Sequence, residues 1–416
     1  YQGLKDIFAY MLDIKFIRGN LEKVKEAARN KRANVDIDAV LKLDAEYRGV
    51  LQKLEEKRAE QNKKSKEARG ESEELKKLKA DIQQLEAAES GKKNELERLL
   101  AVVPNIPLEG VPVGKDESEN MVLREVGEKP EFDFTPRDYL AIAEKLDIID
   151  TARAAKVVGS RFGYLKGEAA LLEFALAQYT FRVLGDTATL KKIIESNAAL
   201  TGVAPIPFIP VVPPVMIKPD VMRKMARLEP VEERYYIPSD DMYLVGSAEH
   251  TLGPLHMDET FAEKDLPRRY IGFSTAFRRE AGSYGKDTRG ILRVHQFDKL
   301  EMESFCLPEF SGKEHEFIVA CQEHLLQGLG IPYRVVEICT GDMGGPDARQ
   351  IDLEAWMPGE GKYRETHTAD LMTDYQARRL HTKVKRAGGK MELVHMIDAT
   401  AFAIGRTLIA LIENYQ

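Results

Sequence analysis

Apolar residues recur every three or four positions along two segments near the amino terminus, and this spacing limits the possible fold more than any other feature. The two series are Val40, Leu43, Tyr47, Val50 and Leu54, and then Leu75, Leu78, Ile82, Leu85, Leu96 and Leu99. A repeat of about 3.5 residues over several heptads is typical of a coiled coil. A polar break containing a glycine, residues 69–71, separates the series. The sequence therefore predicts an antiparallel hairpin of two helices, an arm from about residue 36 to 103, with limbs roughly 45–50 Å long.

A segment rich in helix breakers follows the predicted arm. Residues 104–114 contain three prolines and two glycines, a composition that favours a loop between domains. We therefore divide the chain into an amino-terminal domain of residues 1–110 and a second domain of residues 111–416. The second is long enough to bury a substantial core of its own.

The second domain mixes strand-like and helical patterns. Strand-like runs lie at 206–217, 243–245, 270–277, 291–301, 334–339, 350–356 and 391–397, and helical patterns lie near 137–146, 169–184, 313–329 and 401–414. Clustered strands joined by hairpin loops predict an α+β fold, with helices packed on an antiparallel sheet. No Gly-x-Gly-x-x-Gly or Walker-type loop is present, so phosphate binding would depend on side chains such as arginine.

Composition narrows the possible functions. The formal charge of −7 argues against a surface coated in nucleic acid, although residues 52–80 carry ten Lys or Arg against seven Glu. Cys306, Cys321 and Cys339 show no metal-binding spacing, and three cysteines fit no disulfide framework, so a reducing cytoplasm is the expected location. We expect no membrane span and no secretory signal, and we interpret residues 1–10 as an extension before Met11.

Residues 271–301 are interpreted as two strands joined by a glycine-rich polar loop. Strand alternation puts one set of side chains on a common face: Gly272, Ser274, Ala276, Arg278 and Glu280, followed by Arg293, His295, Phe297 and Glu301. Guanidinium groups bind phosphate as rigid forks, and Phe297 offers a ring on which a purine can stack. The hairpin alone is equally compatible with a nucleotide-binding surface and with a charged face exposed to solvent.

The order of several motifs resembles one family. Phe-Arg-Arg-Glu at 277–280 and Arg-Val-His-Gln-Phe at 293–297 resemble motif 2 of class II aminoacyl-tRNA synthetases, in the form of the bacterial-type seryl-tRNA synthetases. The resemblance continues in Asp-Met-Tyr-Leu-Val-Gly-Ser-Ala-Glu at 241–249, Thr-Gly-Asp-Met-Gly at 340–344, Tyr-Arg-Glu-Thr-His-Thr-Ala-Asp at 363–370 and Gly-Arg-Thr-Leu at 405–408. With the arm, it covers nearly the whole chain.

The resemblance implies a serine–tRNA ligase that forms seryl-adenylate from serine and ATP and transfers the serine to tRNA(Ser), and also to tRNA(Sec) where that tRNA is present. It implies a class II catalytic domain at residues 111–416 and a tRNA-binding domain at residues 1–110, whose arm grips the tRNA. It further implies a homodimer, with Pro213 and Pro214 in the segment that builds the interface.

The resemblance also assigns an ATP site. Its catalytic arginines are Arg278, Arg293 and Arg406, of which Arg278 would bridge the serine carboxylate and the α-phosphate and Arg406 would hold the γ-phosphate. The complete implied set is Arg278, Arg279, Glu280, Arg293, Val294, Phe297, Glu365, Thr366, His367, Thr368 and Arg406. For His367, a structural imidazole is the more ordinary interpretation.

Metal and serine ligands follow from the same resemblance. Glu365 and Thr368 would coordinate the Mg²⁺ that accompanies ATP, since hard oxygen ligands suit that ion, and no zinc is expected. The serine-binding set is Ser247, Ala248, Glu249, Arg278, Glu301 and Thr400. Ser247 stands where the family usually has Thr, Asp398-Ala399 where it usually has Asn and then Gly or Asn, and His381 where Asn is frequent. Asp398 is the departure that bears on substrate choice.

Two alternatives remain at this point. Synthetase-like ligases that load an amino acid onto a carrier protein lack the tRNA-binding arm that this sequence predicts. A catalytically inactive relative that only binds tRNA would tend to lose the motif 2 and motif 3 arginines, and Arg278, Arg293 and Arg406 are all present.

Overall fold

The computed structural model describes residues 14–67, 73–281 and 289–416. The predicted extension at residues 1–10 and the predicted polar tip at 69–71 lie outside this part of the chain. By its internal contacts the chain divides into two compact units, residues 1–106 and residues 107–416. No helix in the described residues is both long and apolar enough to cross a bilayer.

The first unit is helical over its described residues. Its helices are α1 (Ile14–Gly19), α2 (Leu21–Asn30), α3 (Ile37–Glu67) and α4 (Glu73–Ala101). Asp36 caps α3, because its Oδ1 accepts hydrogen bonds from the backbone N–H groups of Asp38 and Ala39 at 2.9 and 3.1 Å. The long helices α3 and α4 pack on each other along their length, which confirms the helical arm predicted from the heptads.

Packing along the arm changes from apolar to ionic. At its base, Tyr47 and Leu96 join α1 and α2 in one buried cluster, and farther out Leu54, Leu78 and Ile82 form a smaller one. Ion pairs link the two limbs: Lys92–Glu46 at 2.6 Å, Arg58–Glu86 at 2.7 Å, Lys57–Asp81 at 3.3 Å and Lys64–Glu74 at 2.5 Å. Exposed pairs of this kind contribute little each, so the distal part of the arm depends on a narrow apolar seam.

The second unit is built on one large sheet. Its strands are β1 (Met121–Val126), β2 (Ile149–Asp150), β3 (Tyr164–Leu165), β4 (Ile209–Val211), β5 (Met216–Ile217), β6 (Tyr236–Ile237), β7 (Met242–Leu244), β8 (Thr260–Ala262), β9 (Arg268–Phe277), β10 (Gln296–Cys306), β11 (Tyr333–Glu337), β12 (Arg349–Met357), β13 (Lys362–Thr373), β14 (Lys383–Lys385), β15 (Met391–Leu393) and β16 (His395–Ala403). Eight of them form the sheet in the order β1-β11-β12-β13-β16-β10-β9-β4. Every pairing is antiparallel except that of β4 with β9.

Helices cover this sheet and complete the predicted α+β architecture. They are α5 (Tyr139–Leu146), α6 (Thr151–Val158), α7 (Glu168–Leu184), α8 (Thr187–Glu195), α9 (Pro219–Lys224), α10 (Glu249–Leu252), α11 (Ser311–Gly328), α12 (Tyr375–Leu380) and α13 (Ile404–Asn414). The main core lies between the sheet and helices α7, α11 and α13. Arg269 is fully buried there and forms a forked ion pair with Glu314, with nitrogen–oxygen distances of 2.6 and 2.7 Å.

The bounds of several predicted elements differ from those in the structure. The strand expected at 291–301 begins only at Gln296, because the N–H of Ile291 donates to the Tyr139 hydroxyl at 2.8 Å and that of His295 to the Arg161 carbonyl at 2.9 Å, outside the sheet. The helix expected from residue 401 begins at Ile404, since β16 continues through Ala403. Strand β13, which was not predicted, is the longest strand described.

Candidate active site

Adjacent strands of the large sheet present polar side chains on the face opposite the main core. On β10 the alternation sends Leu300 and Met302 into the core and sends Lys299, Glu301 and Glu303 to the other face. Small residues of β9 stand beside the functional ones: Ala276 opposite Phe297, Ser274 opposite Lys299 and Gly272 opposite Glu301. A Cβ atom on Gly272 would lie 2.7 Å from Leu252 Cδ1. The sequence prediction of charged groups over a floor of small residues is thus present in the geometry.

Arg278 lies just beyond the end of β9, where its backbone and side chain are both held. Its N–H donates to the His295 carbonyl at 3.0 Å, and its Nε donates to the Gly246 carbonyl at 3.0 Å. The guanidinium carbon is 5.4 Å from the centre of the Phe297 ring. The N–H of Gly246 in turn donates to Nδ1 of buried His250 at 3.1 Å, and burial lowers the pKa of His250 to about 3. A neutral imidazole therefore helps to fix the carbonyl that orients Arg278.

One cleft gathers most of the residues predicted to bind ATP. Its lining includes Arg278, Glu280, Arg293, Val294, Phe297, Lys299, Glu365, Thr366, Thr368, Thr400 and Arg406. Arg406 lies in the first turn of α13 and forms an ion pair of 3.0 Å with Glu365 while also donating to the Glu365 carbonyl at 2.8 Å. Three arginines thus converge on a cleft with one aromatic ring, an arrangement suited to a polyphosphate attached to a base.

Two residues predicted for ATP binding are directed elsewhere. The Nε of Arg279 donates to the Arg234 carbonyl at 2.9 Å, and its guanidinium lies 4.8 Å from the centre of the Tyr235 ring. His367 is fully buried and packs edge-on against Phe402, with 5.4 Å between ring centres. Neither is part of the cleft lining. Burial lowers the pKa of His367 to about 3, in keeping with a structural imidazole.

The predicted metal ligands lie on β13 and offer oxygen atoms. Thr368 Oγ1 donates to Asp370 Oδ1 at 2.9 Å and accepts from Gln350 Nε2 at 3.3 Å. Glu365 is exposed, and the charge of Arg406 beside it lowers the pKa of its carboxyl group. Buried Asp352 lies opposite Thr368 in the sheet, and burial together with the charge of Glu365 raises its pKa well above the usual range. Two carboxyls and a hydroxyl offer the hard oxygen ligands that suit a divalent cation such as Mg²⁺.

The predicted serine-binding residues form a second, more buried group beside the cleft. Glu249, Glu301 and Asp398 each have a carboxyl oxygen within 4.8 Å of the others, and Thr400 lies opposite Glu301 on β16. Lys299 Nζ is 2.7 Å from Glu301 Oε2 and donates to Ser247 Oγ at 3.3 Å. Carboxylates and hydroxyls so arranged can receive an ammonium group and a small hydroxyl side chain.

Sequence reasoning missed four residues that shape the site. They are Arg161, Arg227, Lys299 and Asp352. The position of Lys299, two residues before Glu301 on the same strand face, was a usable signal. Asp352 lies on β12. Its role was missed because the neighbouring strand β13, which holds the predicted metal ligands, was not predicted. Arg161 and Arg227 lie in loops, and only the tertiary fold brings Arg161 to Glu280, where its Nη1 donates to the Glu280 carbonyl at 3.3 Å.

Comparisons with known proteins agree with this geometry. The model of the tRNA synthetase class II core domain (G, H, P, S and T) matches residues 233–415, so the catalytic unit is of the class II synthetase type. The model of the seryl-tRNA synthetase N-terminal domain matches residues 11–107.

Individual relatives narrow the class further. The serine–tRNA ligase of Dictyoglomus turgidum is 41% identical over 428 residues, which cover 98% of this chain and 94% of that protein. The structure of seryl-tRNA synthetase from Pyrococcus horikoshii complexed with ATP superposes with a TM-score of 0.83 at 37% identity, covering 98% of this chain and 94% of that one. The structure of cytoplasmic serine–tRNA ligase from Naegleria fowleri in complex with AMP superposes with a TM-score of 0.78 at 32% identity. The match covers 99% of this chain and 93% of that one. The chain belongs to the serine–tRNA ligase family.

Proposed function

We propose that this chain activates serine with ATP and transfers it to tRNA(Ser), and to tRNA(Sec) where that tRNA is present. A serine carboxylate oxygen attacks the α-phosphorus of ATP, the bond to the bridging oxygen breaks, and pyrophosphate leaves. The step needs positioning and charge stabilisation rather than a side-chain nucleophile. The observation that carries this proposal is the convergence of Arg278, Arg293 and Arg406 on a cleft that also contains Phe297.

Within that cleft we assign one role to each group. Arg278 bridges the serine carboxylate and the α-phosphate, because its guanidinium is anchored at Nε and leaves the two terminal nitrogens for the substrates. Phe297 stacks on the adenine, and Glu280, whose carboxylate lies 3.6 Å from Arg293, accepts from the adenine amine. Arg293 and Arg406 hold the outer phosphates. Val294 and Thr366 complete the lining. Arg279 and His367 act on ATP only indirectly in this assignment.

Glu365 and Thr368 would hold the Mg²⁺ that accompanies ATP. When bound, the ion supplies positive charge to the phosphates. The Arg406 guanidinium lies 3.0 Å from the Glu365 carboxylate, so the group assigned to the phosphates and the group assigned to the metal stand side by side.

For the amino acid, the Glu249 carboxylate accepts hydrogen bonds from the serine ammonium group, and Glu301 and Thr400 contact the serine hydroxyl. Ser247 and Ala248 bring Glu249 into the pocket, since they lead directly into the short helix α10. Hydrogen bonds to a substrate hydroxyl discriminate strongly against analogues that lack it, because the buried polar groups of the site are then left unpaired.

The arm supplies tRNA recognition in this proposal. We assign residues 1–110 to a tRNA-binding domain and residues 111–416 to the catalytic domain. Ten Lys or Arg against seven Glu between residues 52 and 80 give this part of the arm a local positive excess in an otherwise acidic chain. Such a surface suits a phosphate backbone.

We further propose that the enzyme works as a homodimer in the cytoplasm. Strand β4 is the last strand of the large sheet and leads into Val212, Pro213 and Pro214. Val212 is 82% exposed, and Leu171 and Phe174 on α7 are 70% and 64% exposed. Large exposed apolar side chains and an open sheet edge are each typical of a protein interface.

Serine-dependent exchange of pyrophosphate into ATP tests the activation step. We expect exchange with serine, little with threonine or alanine, and none without an amino acid. Absence of exchange with every amino acid would overturn the ligase assignment. Charging of purified tRNA(Ser) and tRNA(Sec) then tests the transfer step separately.

A further inference from the structure

A row of carboxyl groups lies beneath the amino-acid pocket. Glu303, Asp398 and Asp370 stand opposite one another on the neighbouring strands β10, β16 and β13. Like charges in directly opposed positions of a sheet repel. Glu249 and Glu301 lie beside the row, and all five side chains are buried. Such a cluster requires positive charge or bound protons to be tolerated.

Arg227 penetrates this cluster from the loop that follows α9. Its Nε lies 2.8 Å from Glu249 Oε1, and its Nη2 donates to Asp398 Oδ2 at 2.9 Å. The same nitrogen is 3.8 Å from Asp370 Oδ2. Its backbone carbonyl accepts from Arg234 Nε at 2.9 Å, so the loop itself is held in place. A single guanidinium thus contacts the carboxylate assigned to the serine ammonium and the residue that replaces the family's usual Asn.

The charge of Arg227 changes the protonation of Glu249. Burial alone would raise the pKa of Glu249, but the charge of Arg227, with help from Lys299, outweighs burial and lowers it to about 2. Glu303 lacks a partner in the described structure, and burial raises its pKa well above the usual range. Two buried glutamates of one cluster thus differ in protonation, and Glu249 is the one that contacts Arg227.

We propose that Arg227 is a positioning residue for the amino-acid pocket: it keeps Glu249 ionised and aimed at the substrate ammonium group, and Asp398 anchors Arg227 from the other side. The proposal rests on the proposed serine activation. It also gives Asp398 a purpose, because the carboxyl group that stands in place of the usual amide accepts a hydrogen bond from the Arg227 guanidinium at 2.9 Å. Arg227 acts through Glu249 and does not contact ATP.

The test compares Arg227→Gln and Arg227→Lys with Arg223→Gln, an exposed arginine four residues earlier. We expect Arg227→Gln to raise the KM for serine roughly ten- to hundredfold, because breaking one side of a buried ion pair leaves the other side uncompensated. The KM of Arg227→Gln for ATP should remain near that of the unmodified enzyme. The rate of serine-dependent exchange by Arg223→Gln should also remain near that of the unmodified enzyme. Arg227→Lys retains the charge but loses the fork, so an intermediate KM for serine is expected.

A pH profile separates this role from a purely structural one. The groups around Glu249 are Arg227, Arg234, His250, Arg278, Lys299, Glu301, Glu303, Asp370 and Asp398. Without Arg227, burial raises the pKa of Glu249, so the serine KM of Arg227→Gln relative to the unmodified enzyme should fall as the pH rises from about 5.5 to 7.5. The ratio cancels the titration of serine itself. For Arg227→Lys, the ratio of its serine KM to that of the unmodified enzyme should not change with pH.

The outcomes are distinct. A pH-independent ratio for Arg227→Gln, or an equal rise in the KM for ATP, would overturn the positioning role while leaving serine activation intact. If Arg227→Gln does not fold, Arg227→Lys carries the test, and an unchanged serine KM in that variant refutes the proposal. Absence of serine exchange in the unmodified enzyme would instead refute the proposed function.

Discussion

The charge and the shape of a side chain contribute separately in this site, and Arg278 shows the difference. Its Nε is engaged by the Gly246 carbonyl at 3.0 Å, so the guanidinium is fixed in orientation before the substrates bind. A lysine at this position would preserve the positive charge but would be a single flexible point charge. Stabilisation of charge that develops in the transition state depends on such fixed donors.

We therefore expect Arg278→Lys to reduce the rate of serine-dependent exchange by roughly 10²–10³-fold, the usual effect of losing one preorganised donor. Arg279→Lys is the matched control, because the Arg279 guanidinium bonds to the Arg234 carbonyl and lies against Tyr235 instead of lining the cleft. Its exchange rate should stay within a fewfold of the original. Equal losses in the two variants would contradict the assignment of Arg278 alone to the reacting phosphate.

Glu301 links substrate binding to stability. Burial raises its pKa to about 7, with Glu249 acting in the same direction and Lys299 in the opposite one. Because the folded pKa exceeds the ordinary value of 4.5, the folded state binds more protons between about pH 4.5 and 7, and stability falls as the pH rises through this window.

Glu301→Gln should therefore stabilise the protein at pH 8 by roughly 1–3 kcal/mol and change its stability little near pH 4.5. The same substitution should abolish serine exchange. Thermal unfolding at the two pH values checks the first statement, with the exposed Glu232→Gln as control. A lower melting temperature for Glu301→Gln at pH 8 would show that the carboxylate is stabilising.

At the scale of the elements, the sequence predicted the helices and strands that follow from local periodicity. It missed the boundaries and strands that depend on tertiary contacts. The heptads of the arm and the alternation of β9 required no tertiary knowledge. Residues 291–295 alternate like a strand, yet their backbone groups bond to Tyr139 and Arg161. Strand β13 was missed because residues 362–368 are mostly polar. The site residues that lie in recognisable motifs could be predicted from the sequence. The role of Arg227 could not, because it depends on a contact made by a loop that has no motif.

The arm permits a sharp test at this scale. Its cross-limb pairs, Lys57–Asp81 and Lys64–Glu74 among them, show which residues face each other. Removing residues 55–83 and closing the limbs with a short Gly-Ser turn removes most of the basic segment but leaves the cluster around Tyr47 and Leu96 at the base. Serine exchange should persist near its original rate, whereas charging of tRNA(Ser) should fall below detection. Charging that persists would refute the role of the arm.

At the scale of the whole molecule, the proposed function divides the reaction between the two units. The catalytic unit contains every residue assigned to ATP and serine, and the arm contains the basic segment assigned to tRNA. Activation should therefore be separable from transfer. The exposed apolar side chains near β4 and α7 belong to neither activity, which is why we assign them to an interface between two copies of the chain.

Introducing charge into that interface should separate the copies. Phe174 and Leu171 on α7 are 64% and 70% exposed, and their burial against a second copy would remove apolar surface from water. We expect Leu171→Glu/Phe174→Glu to sediment as a monomer at micromolar concentration while the unmodified chain sediments as a dimer. Val157→Glu on α6, 67% exposed, is the matched control and should remain dimeric. A dimeric double variant would place the interface elsewhere, and a monomeric unmodified chain would refute the homodimer.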